Sequence, residues 1–102
     1  MFNLQLHIHP QTEQRLGAIF AHAQNEETFV QNIIAYQVSE LRKGIVNIRL
    51  ELKHLEEKYK QTSDEFYHQY MQGQADDSEE MLLWAGLYEM LRDNESRLRE
   101  LS

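Results

Sequence analysis

Between Ile34 and Tyr59 the apolar residues Ile34, Val38, Leu41, Ile45, Ile48, Leu52, Leu55 and Tyr59 recur at intervals of 4, 3, 4, 3, 4, 3 and 4. The stretch around them, from about Glu26 to about Lys60, contains no proline. This spacing predicts one long α-helix with a heptad seam on a single face. A seam of that length cannot stay in water, so other helices or another protein must cover it. A parallel two-stranded coil with Ile34 at d and Val38 at a sets Glu51 at g against Glu56 at e of the other chain, a like-charge pair. The stripe Ile48, Leu52, Leu55 and Tyr59 is therefore expected to be covered by helices from residues 64 to 92, by a second dimer, or by a different protein. Gly44 sits beside the seam and costs about 1 kcal/mol against alanine, which marks a bend or a close helix approach.

The segments after the seam carry their own boundaries. Thr62 and Glu65 in "TSDE" match a capping box, "EFYHQYM" supplies a short aromatic helix, and Gly73 is placed to stop it. "QADDS" reads as a loop. Asp77 to Glu80 offers a second capping box ahead of "MLLWAGLYEML", the most apolar stretch of the chain, and Leu91, Leu98 and Leu101 can prolong that helix through a polar end. Asp76, Asp77, Glu79 and Glu80 are read as capping and dipole partners at this junction.

The front differs. "FNLQLHIHP" alternates, placing Phe2, Leu4, Leu6 and Ile8 on one face and Asn3, Gln5, His7 and His9 on the other, which predicts a short β-strand. A lone strand needs a partner for its backbone groups, and a second copy of the chain is the nearest supply. Pro10 then suits the first turn of an amphipathic helix bearing Leu16, Ile19, Phe20 and Ala23, and Asn25 can cap the long helix that follows.

The 102 residues suffice for one modest domain with an appendage. Net charge is −7, and it is uneven: residues 1–60 hold seven Lys/Arg against seven Asp/Glu, and residues 61–102 hold three against ten. With no cysteine, disulfides, thiolate zinc sites and cysteine nucleophiles are excluded. No signal-peptide pattern and no apolar run near ~18 residues is present, so a cytoplasmic protein is expected. His7 and His9 have ligand spacing but no third ligand nearby, and exposed polar strand residues explain them better. No nucleophilic triad, phosphate-cradling glycine loop or carboxylate pair with cause for a shifted pKa is visible, so neither an enzyme nor a cofactor is expected.

The order strand, proline, short helix, break and longer helix in "FNLQLHIHPQTEQRLGAIFAHAQNEETFVQNIIAYQVSEL" resembles the ribbon-helix-helix DNA-binding family of the Arc and MetJ type. The resemblance implies a dimer whose two strands form an antiparallel ribbon in the DNA major groove. Carried over by strand parity, Asn3, Gln5 and His7 read bases, and Leu4, Leu6, Ile8, Phe29 and Ile33 form the dimer core. Two features depart from the family: the strand face has no fixed positive charge, and Glu26 and Glu27 stand where a backbone phosphate is received. "LEEKYKQTSDEFYHQYMQGQADDSEEMLLWAGLYEML" resembles the tail of small prokaryotic antitoxins. That second resemblance implies a cognate toxin, of which a ribonuclease with a basic active site is one type, bound through an acidic segment with aromatic anchors.

The expected fold is mainly α: an N-terminal strand paired in a ribbon-helix-helix dimer, a long second helix with a heptad seam, and two further short helices. Residues 1–47 form the dimerisation and DNA-binding region, and residues 48–102 a helical, acidic partner-binding region. The leading functional expectation is an antitoxin-like regulator. It binds its own operator as a homodimer or dimer of dimers and neutralises a toxin through Leu52, Leu55, Tyr59, Phe66, Tyr70, Trp84 and Tyr88. The alternative is a helical adaptor or assembly protein that does not bind DNA and uses the strand only to dimerise. For any one of the aromatics, packing on the seam as a satellite core is the plainer reading.

Overall fold

The computed structural model describes residues 5–22 and 25–102. Its regular elements are four helices: α1 (Pro10–Ala21), α2 (Glu26–Tyr59), α3 (Ser63–Met71) and α4 (Glu79–Leu101). No β-strand occurs among the described residues. The chain divides into a front unit, Met1–Ala35, and a back unit, Tyr36–Ser102, a division earlier on α2 than the 47/48 boundary read from the sequence.

Each helix starts and stops for local reasons. Pro10 opens α1 at a position that needs no N–H donor. Asn25 Oδ1 accepts from the Thr28 N–H at 2.7 Å, and Glu26 and Glu27 add negative charge at the positive end of α2. The long helix ends where Lys60 takes the left-handed conformation at φ 54°, which lets the Gln61 N–H reach back to the Glu56 carbonyl at 3.2 Å. Thr62 Oγ1 caps α3 by accepting from the Glu65 N–H, as its sequence context predicts. Gly73, at φ 73°, closes α3, and the Gln74 N–H bonds back to the Gln69 carbonyl. The cap of α4 is Ser78, whose Oγ accepts from the Met81 N–H, one residue beyond the Asp77 read from the sequence.

The core belongs to the back unit. Leu41, Ile45, Ile48, Leu52 and Leu55 of α2 are buried, as are Phe66 of α3 and Trp84, Ala85, Leu87 and Leu91 of α4. The stripe from Ile45 to Leu55 is thus covered by the chain's own α3 and α4, one of the three covers the heptad spacing allowed. Helix α4 has 23 residues rather than being short, because Leu98 also packs against the core cluster and Glu95 pairs with Arg49 of α2. Gly44 marks a close approach: a Cβ there would lie 3.2 Å from Asn94 Nδ2 of α4.

The ribbon-helix-helix expectation is overturned. Residues 5–9 have no regular secondary structure and lead directly into α1. Apolar–polar alternation makes a strand only where a neighbouring edge completes the backbone ladder, and no described segment offers one. Gln5 and His7 therefore sit on an exposed non-strand segment, and Asn3 lies outside the described residues. Among the expected dimer-core residues, Leu6, Ile8 and Ile33 are exposed, Phe29 is half-buried, and Leu4 lies outside the described residues. Within the chain Phe29 packs on Phe20 of α1, with ring centroids 4.7 Å apart.

Candidate functional site

The back unit is organised around Trp84, which is 0% exposed. The Phe66 ring lies parallel to it with centroids 4.0 Å apart, and Tyr59 also stacks on it at 5.5 Å. A buried indole N–H needs an acceptor, and Ser63 Oγ supplies it at 2.9 Å. The Ser63 N–H in turn donates to Glu56 Oε2 at 2.7 Å, so the α2–α3 turn is tied to the centre of the core. No buried polar side-chain atom among the described residues lacks a partner.

Around this core, tyrosine hydroxyls donate to carboxylates. Tyr59 and Lys58 both donate to Glu80, Tyr67 donates to Glu89 at 2.9 Å, and Tyr88 donates to Asp64 at 2.9 Å. The hydrogen bonds from Tyr59 and Lys58 hold the Glu80 carboxyl below the usual glutamate range. The same hydrogen bonds to Glu80 raise the Tyr59 and Lys58 pKa values. Glu89 raises that of Tyr67, and burial followed by the Asp64 hydrogen bond raises that of Tyr88. These pairs staple α3 and the end of α2 to α4.

A groove of about 410 Å³ runs along the α2 and α4 surfaces beside this cluster, lined by Leu50, Glu51, His54, Leu55, Glu80, Leu83 and Leu87. Leu50 is 63% exposed and Leu83 56% exposed, although both belong to well-packed helices. The lining contains two carboxylates and a histidine but no lysine or arginine, and of the two carboxylates Glu80 is paired with Lys58 beside the groove. Residues 61–91, which include all of α3 and half of α4, carry seven Asp/Glu and no Lys/Arg. An apolar floor with an acidic rim suits a segment that brings apolar side chains and positive charge together.

The sequence-derived partner anchors fall mostly inside. Leu52, Leu55, Phe66 and Trp84 are buried in the core, Tyr70 and Tyr88 are half-buried against it, and Tyr59 is engaged with Trp84 and Glu80. The groove residues Leu50 and Leu83 lie off the heptad seam, on faces that helical spacing assigns to solvent. Their signal in the sequence was an apolar residue where a surface helix normally carries a charge. No group of three His, Asp or Glu side chains suited to a metal ion occurs among the described residues, His7 and His9 included. No helix among the described residues is long and apolar enough to cross a membrane.

No protein-family model, curated protein or solved structure matches this chain. The likeness to ribbon-helix-helix antitoxins therefore has neither the strand nor a family match behind it.

Proposed function

We propose that the back unit is a protein-binding module that docks a basic amphipathic helix in the groove between α2 and α4. The observation that carries this reading is the combination in one groove of exposed Leu50 and Leu83 with the carboxylate of Glu51, Glu80 at the same groove being already paired with Lys58. Docking removes the two leucines from water, and that burial supplies the affinity. Glu51 and the acidic surface of residues 61–91 select a positively charged partner and speed its approach. The aromatic core behind the groove holds its walls in place, so the partner meets a preformed surface. This is the helical adaptor reading without the strand. A toxin ribonuclease with a basic helix is one partner of that chemistry.

The test uses two fluorescein-labelled peptides with leucines at helical positions i, i+3, i+4 and i+7. One carries lysine and the other glutamate at the remaining positions. Anisotropy is expected to report saturable binding of the lysine peptide, weakened by salt and lost in a Leu50→Ser, Leu83→Ser variant whose Trp84 emission is unchanged. Equal binding of both peptides, or binding that survives the double substitution, contradicts the proposal.

A further inference from the structure

The front unit presents the opposite chemistry. None of the described residues of α1 or of the first part of α2, through Glu40, is buried. A 12-residue helix with no buried side chain is marginal in water, and among the described residues the Phe20–Phe29 contact leaves the apolar face of α1 largely open. The available surface is apolar: Ile19 and Phe20 on α1 and Val30, Ile33 and Ile34 on α2 are each between 38% and 59% exposed. At about half exposure, these five side chains leave on the order of 500 Å² of apolar surface, a large part of the roughly 800 Å² per partner in a standard interface.

The five side chains come from two uncharged stretches, separated by Glu26 and Glu27 at the start of α2. Residues 16–25 and 28–39 contain no Asp, Glu, Lys or Arg, in a chain of which 26% is charged. A strongly acidic or basic partner would find no counter-charge within either stretch. A second copy of the chain brings the same two uncharged stretches, so Glu26 and Glu27 are the only part of its net charge of −7 that falls between the pairing residues in sequence.

We infer that the front unit is a homodimerisation module in which α1 and the first turns of α2 from two copies pair through Ile19, Phe20, Val30, Ile33 and Ile34. The pairing joins four helices around one apolar centre and leaves each back unit's groove to its own partner. The inference is independent of the groove proposal, since it uses none of the same residues.

Sedimentation velocity on the full chain tests it, with Trp84 emission as a readout of the intact back unit. The native chain is expected to sediment as a dimer at micromolar concentration. Phe20→Glu with Ile34→Glu is expected to weaken that dimer by ~100-fold or more, leaving a monomer with native Trp84 emission. Ile33→Ser with Ile34→Ser, which adds no charge, is a milder second variant expected to weaken it in the same direction. Leu50→Ser is expected to leave the dimer intact. A native chain that stays monomeric at about 100 μM, or a dimer that resists both front variants, overturns the inference. So does a dimer lost in Leu50→Ser, because the contact then lies in the groove.

Discussion

The front and back units are both helical and both rich in apolar residues, yet among the described residues only those of the back unit form a buried core. In the back unit, the stripe from Leu41 to Leu55 is buried, and α3 and α4 supply most of its cover. In the front unit, Ile19, Phe20, Val30, Ile33 and Ile34 are open, and nothing from the described residues buries them. Amphipathic periodicity fixes which face of a helix is apolar. Whether the chain itself supplies the cover depends on the segments that follow, and here those segments serve the back. The uncovered face is the one proposed above to pair two copies.

The sharpest way to break this contrast is to empty each region in turn. Trp84→Ala removes the ring against which Phe66 and Tyr59 stack and is expected to destabilise the back unit by about 3–5 kcal/mol in urea unfolding followed by far-ultraviolet circular dichroism. Phe20→Ala, studied at concentrations too low for association, is expected to change back-unit stability by under about 0.5 kcal/mol. Comparable losses from the two substitutions would erase the distinction between the units.

A smaller effect sharpens the account of the core itself. Ser63→Ala strands the Trp84 indole N–H without its acceptor and is expected to cost about 1–3 kcal/mol, with a shift in Trp84 emission that a surface substitution does not produce. Gly44→Ala works in the other direction. The added Cβ meets only the end of the Asn94 side chain, which can move aside, so the gain in helix propensity survives as about 0.5–1 kcal/mol of added thermal stability. A loss there would mean that the α2–α4 approach is too tight to give.

The pH dependence is expected to be the mildest effect and to come from the surface staples. Glu80 titrates lower in the folded chain, so its contribution is complete above the ordinary value of 4.5 and is lost as pH falls through the depressed folded value. Tyr59, Tyr67 and Tyr88 titrate higher when folded, so their contributions are complete below 10.0 and are lost as pH rises through the raised values. A plateau in melting temperature between these limits is expected. Glu80→Gln should flatten the acid limb while Tyr67 and Tyr88 keep an alkaline one. An acid limb unchanged by Glu80→Gln would remove Glu80 from the account.

Much of the helical order was legible in the sequence because it rests on local chemistry. The spacing from Leu41 to Leu55, the Thr62 cap, the Gly73 stop and the Asn25 cap each follow from one residue and its near neighbours, whereas Gly44 reads as a bend or a close approach until Asn94 of α4 stands against it. The strand over Phe2–His9 is a different kind of inference, because alternation is necessary for a half-buried strand but the pairing edge must come from elsewhere. The length of α4 was left open by the mostly polar residues 92–102: Leu98 and Leu101 mark an extension, and the pairing of Glu95 with Arg49 and the packing of Leu98 on the core realise it. The groove was harder to read than the core. Trp84 and Phe66 attract notice as aromatic anchors but are consumed by packing, and the weak signal of Leu50 and Leu83, apolar residues on faces assigned to solvent, gains a meaning only when the helices are assembled.

Hydrogen–deuterium exchange on the full chain, at one dilute and one concentrated protein solution, tests most directly the claim that one unit covers itself and the other is covered by a second copy. The account predicts slow exchange across residues 41–59, 63–71 and 79–101 at both concentrations. Across residues 10–21 and 26–35 it predicts fast exchange when dilute and slow exchange when concentrated. Front-unit exchange that is equally slow in both solutions, or back-unit protection that rises with concentration, would contradict it.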